Sequence, residues 1–153
     1  MAGFGLMAVL GILAGLGVLP QLTKWLDPIS WVSLGFWVLS IGLSMWASMV
    51  NWGGVPLGEP RYVATFNLLA VVVITQVLKS WVNQPRIKGL LNILPAAYFL
   101  YAVFGAKMTL HPNDPIGTSE SVGIQIAFYG MFALVLLAGV WLTVLVKEQR
   151  KKN

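Results

Sequence analysis

Long uncharged runs alternate with short charged connections along the whole chain, and this alternation predicts an all-α bundle of five transmembrane helices. The runs cover about residues 3–23, 29–50, 62–80, 89–106 and 122–146. Each approaches the ~20 residues that a helix rising 1.5 Å per residue needs to cross a hydrocarbon core of about 30 Å. The third run sets the frame. Tyr62 to Leu78 is uncharged, Arg61 closes one end, and Lys79, Arg86 and Lys88 follow the other. A span that enters a basic connection is expected to exit into the cytoplasm.

The remaining runs carry their own signals. In the first, Gly11 and Gly15 form a small-xxx-small pair that admits another helix closely. No basic stretch precedes this run and no A-x-A site follows it, so it reads as a span and not as a cleaved leader. Asp27 and Pro28 read as the cap and first residue of the second helix. Along that helix Ser40, Ser44 and Ser48 recur at i, i+4, i+8, a stripe expected to face protein, before Asn51 to Pro56 breaks the helix. Asn67 and Gln76 are the polar intramembrane contacts of the third run, expected to bond across helices. Pro95 predicts a kink in the fourth helix and a gap there for another subunit, a lipid or a quinone. The aromatic Tyr98, Phe99, Tyr101 and Phe104 lie just beyond it. A polar loop from Lys107 to Ser121 precedes the fifth run; its His111 has no second histidine one helical turn away, so His111 and Asp114 do not read as a metal site.

Five crossings allow a charge count. With the N-terminus outside and the C-terminus inside, Lys24, Lys79, Arg86, Lys88, Lys147, Arg150, Lys151 and Lys152 face the cytoplasm, and only Arg61 and Lys107 face away. That asymmetry orients the bundle.

Composition supports a single membrane domain spanning residues 1–153. The chain is 58% hydrophobic and 10% charged, with a mean hydropathy of +0.79, whereas soluble domains carry about 25% charged residues. The net charge of +5 sits beside spans, which points to topology and membrane lipids as partners and not to nucleic acid. With no cysteine, disulfides, thiolate nucleophiles and cysteine metal sites are excluded. Nothing resembles an organelle transit peptide, so a bacterial or archaeal plasma membrane is the expected location.

Candidate chemistry is sparse. No ionisable residue lies mid-run, which removes the usual coupling group of a proton- or cation-driven carrier. One histidine cannot supply the two helical ligands of a membrane haem. No nucleophile–base pair, zinc motif or phosphate loop is present, and no catalytic residue is assigned. In general character the chain resembles the small accessory subunits, made only of spans, that surround respiratory, photosynthetic or other energy-converting membrane complexes. That likeness is one of type and carries no residues over; with the small-residue faces of Gly11, Gly15, Ser40, Ser44 and Ser48 as candidate helix interfaces, the leading expectation is a non-catalytic subunit held to larger integral membrane subunits. Two alternatives are a channel or carrier for a neutral small solute, lined by the serines with Asn67 and Gln76, and a subunit binding quinone, carotenoid or another pigment at the Pro95 kink.

Overall fold

The computed structural model describes residues 2–18, 20–105 and 119–152, and among these the fold is entirely helical. The expected polar loop with His111 and Asp114 lies outside the described residues.

Helix α1 (Ala2–Gly15) stops well short of the expected Thr23. Gly17 adopts a left-handed φ of 74°, and the Val18 and Gly17 amides turn back to the Leu13 and Ala14 carbonyls at 3.0 and 3.1 Å. Those two bonds close a Schellman cap, which satisfies the helix end and redirects the chain. At 14 residues, α1 is about 21 Å long.

A single 3₁₀ turn, Pro20–Leu22, leads into α2 (Thr23–Trp52). This helix starts six residues before the expected point. Asp27 and Pro28 therefore lie in its second turn, and Asp27 is not a cap. Pro28 is tolerated because only one early backbone bond is lost. Gly53, at φ 70°, closes α2 through its amide to the Met49 carbonyl at 3.0 Å. Helix α3 (Pro60–Trp81) opens with Pro60 at its first position after the extended Glu59.

The fourth run forms two helices, α4 (Pro85–Leu91) and α5 (Ile93–Gly105). Pro95 is the reason. Its ring conflicts with the carbonyl four residues earlier, at Leu91, which is where α4 ends. At the break Asn92 and Pro95 are fully buried and Ala96 nearly so, with α1 packed against both α4 and α5. Helix α6 (Val122–Lys152) completes the chain.

By length and composition α2, α3 and α6 are apolar enough to cross a membrane, whereas α1 and α4 span 14 and 7 residues and the described part of α5 spans 13. Helices α2, α3 and α5 share a core of Ile29, Trp37, Ile41, Leu68, Val72 and Ala96, against which Ala8 and Leu10 of α1 pack. Glycine sets how closely α1 meets α4. A Cβ on Gly11 would lie 2.5 Å from the Gly89 carbonyl oxygen, and one on Gly89 would lie 3.0 Å from that of Gly11. The small-residue face expected to greet another subunit is therefore occupied by the same chain.

Overpacking at a backbone contact cannot be relieved by rotating a side chain. Gly11→Ala is accordingly expected to lower the thermal unfolding stability of the purified protein by about 1–3 kcal/mol, while Gly42→Ala, which meets open space, leaves it unchanged or raises it. Equal effects of the two substitutions would contradict the α1–α4 crossing.

Candidate functional site

Polar groups gather at the two ends of the α2–α3 pair. At one end Lys79, in the last turn of α3, is 3% exposed. Its ammonium lies 2.9 Å from Asp27 Oδ1 and donates to Asn92 Oδ1 at 2.9 Å and Gln76 Oε1 at 3.2 Å. Three donors meet three acceptors, so the cation is saturated. The network continues outward. Gln76 donates to the Ser30 hydroxyl of α2, Asn92 donates to the Lys88 carbonyl at 2.7 Å, and Arg150 of α6 stands 3.8 Å from Asp27 Oδ2. Beside it, the Lys147 ammonium sits 3.1 Å above the Trp25 ring. The knot joins α2, α3, the α4–α5 junction and α6, and the start of α2 lies beside the ends of α3 and α6.

Lys79, expected to open the basic connection after the third span, lies in the last turn of α3 as a buried cation. The overlooked signal is spacing: Tyr62, Leu68, Val72, Thr75 and Lys79 are the buried residues of α3, and steps of three and four put Lys79 on the stripe that enters the core. Asp27, read as a cap, is its counter-ion.

At the opposite end a cavity of about 410 Å³ opens between α2, α3 and α5. Ser40, Ser44 and Ser48 line one wall, Glu59, Tyr62 and Thr65 a second, and Phe99 and Ala102 a third. The Tyr62 hydroxyl lies 2.6 Å from Ser48 Oγ and 3.0 Å from Ser44 Oγ, and it donates to the Ser44 carbonyl at 3.1 Å. Ser48 donates to the same carbonyl at 2.9 Å. Glu59 is 7% exposed, and its Oε1 has no hydrogen-bond partner among the described residues.

The structure divides the expected polar contacts. Ser44 and Ser48 engage α3, Ser40 faces the cavity, and Gln76 bonds across to α2. Asn67 is exposed on α3 and has no hydrogen bond among the described residues. Between the two polar ends, Trp37, Ile41, Leu68 and Val72 fill the interior, so the serine wall does not continue to Gln76. No group of three acidic or histidine side chains suited to a metal occurs among the described residues.

Breaking the ion pair is expected to be asymmetric, because Asp27 is 39% exposed and Lys79 is not. Asp27→Asn strands a buried cation and should cost about 3 kcal/mol or more in unfolding stability. Lys79→Met removes that cation and leaves Asp27 to water and Arg150, so it should cost less. The double variant should recover most of the Asp27→Asn loss. Equal single losses that simply add would show that the pair is not coupled.

The chain matches no protein-family model, no curated protein and no solved structure, so its functional reading rests on its own residues.

Proposed function

We propose that this chain is a non-catalytic subunit of a larger integral membrane assembly and that α6 makes the contact with its partner. The supporting observation is the surface of α6. From Val122 to Leu142 it is exposed except for partial cover at Gln125 and Gly139, while the segment beyond packs on the start of α2. One face carries Gly123, Ala127 and Gly130 at helical spacing. A Cβ on Gly130 would meet nothing, and one on Gly123 would meet only the neighbouring Ser121 hydroxyl. Lipid tails gain little from small residues, whereas a second helix gains close backbone approach. The chain fills its other such face itself, at Gly11, Gly15 and Gly89.

In this reading the α4–α5 unit serves as a broken fourth crossing, and α1 with the 3₁₀ turn as the first. The knot gathers Lys79, Lys147 and Arg150 at one end of the molecule. That grouping supports an N-out, C-in orientation with the basic end cytoplasmic, and a bacterial or archaeal plasma membrane is the setting proposed for it.

Two experiments test this. Extraction in mild detergent followed by native mass spectrometry should recover the chain with a larger membrane partner, and Gly130→Leu should abolish that recovery while leaving thermal unfolding unchanged. Migration as a lone monomer in every detergent, or full co-purification of the leucine variant, would defeat the proposal. For orientation, a reporter active only outside the cytoplasm should work when fused after Thr118 and fail after Arg86 or at the C-terminus. The opposite pattern would invert the topology.

A further inference from the structure

The cavity at the Glu59 end has chemistry that neither packing nor partner contact uses. We infer that it binds a zwitterionic headgroup with an N–H-bearing ammonium and a phosphate, as in ethanolamine phosphate, with the ammonium on Glu59 and the phosphate toward Arg61.

Glu59 carries the argument. A buried carboxylate oxygen without a donor forfeits its hydration and receives nothing in return. An incoming N–H cation restores both the hydrogen bond and the charge balance. No side chain of the described lining donates to it in this structure. The Tyr62 and Ser48 hydroxyls are engaged with Ser44, and no contact of Arg61 with Glu59 occurs among the ion pairs of the described residues. The walls suit a cation as well, since Trp37, Trp52, Tyr62 and Phe99 contribute aromatic surface. Arg61 is exposed at the rim, where a guanidinium can fork onto a phosphate. The volume of about 410 Å³ falls within the range of small-ligand sites, about 300–1,000 Å³.

Position favours a lipid as the source. Trp52 ends α2, and Glu59 and Arg61 begin α3, so the pocket lies where spanning helices reach the headgroup layer. This needs only that the chain sits in a bilayer, and it is independent of any partner on α6. A free zwitterion of the same chemistry would satisfy the same groups, and the test separates the two.

The parent protein is reconstituted into nanodiscs holding equal amounts of phosphatidylethanolamine, its mono- and dimethyl derivatives and phosphatidylcholine, all with identical acyl chains. Lipid retained on release into the gas phase is read by native mass spectrometry. The first three keep an N–H donor and should each be retained about tenfold over phosphatidylcholine, the scale of one charge-assisted hydrogen bond. Glu59→Gln should erase that preference, Glu59→Asp should keep part of it, and Arg61→Gln should weaken retention of all four lipids alike. Soluble O-phosphoethanolamine is then added to the parent in phosphatidylcholine nanodiscs and in phosphatidylethanolamine nanodiscs. Binding in the first and exclusion from the second identifies the lipid headgroup as the occupant; binding in both identifies a free zwitterion. Equal retention of phosphatidylethanolamine and phosphatidylcholine by the parent overturns the inference without any variant having to fold. An unchanged preference in a folded Glu59→Gln protein overturns it too.

Discussion

One buried ammonium determines how this molecule is assembled. Taking a lysine out of water costs several kcal/mol unless its charge and all its donors are met. Lys79 meets that condition by drawing Asp27 from α2, Gln76 from its own helix and Asn92 from the α4–α5 junction. Two of those partners, Asp27 and Asn92, come from places where the chain departs from a plain row of hairpins. Asp27 is available because α2 begins at Thr23. Asn92 is available because Pro95 ends α4 at Leu91. The break in the fourth run is thus a structural device: it turns the one fully buried amide of the chain's fourth run toward the cation.

With that end fastened, the rest of α3 follows from its stripe. Leu68 and Val72 form a dry plug against Ile29, Trp37 and Ile41, and above it Tyr62 satisfies the serines of α2. One face of one helix therefore holds a charge network, an apolar seal and a hydroxyl cluster in succession. The seal keeps the two polar ends apart, with the charge network on one side and the Glu59 cavity on the other. Helix α6 stands apart from this arrangement, fastened at its basic end and bare above.

Much of this was legible in the residues. The apolar runs predict α2, α3 and α6 to within a few positions at most ends, and Pro95 marks the broken fourth run. Other features were not legible because they depend on what two distant segments do together. Gly17 looked like one more glycine in an apolar run until its left-handed turn ended α1. Gly11 and Gly15 announced a close neighbour without saying that Gly89 of the same chain would supply it. Lys79 was hidden by its company, since Arg86 and Lys88 made it look like the first charge of a loop. Its place on the Leu68–Val72–Thr75 stripe was the contrary signal. Glu59 gave none, because its burial follows from the extended turn before Pro60 and from α5 closing the third wall.

Lysine labelling reports directly on whether Lys79 is sealed inside the bundle. Folded protein in nanodiscs is treated with a water-soluble amine-acetylating reagent, and the modification of each lysine is followed by mass spectrometry. The account predicts that Lys24, which is exposed, labels readily, that Lys79 stays unmodified, and that Lys79 labels once the protein is denatured in detergent. Labelling of Lys79 in the folded protein at the rate of Lys24 would contradict the account.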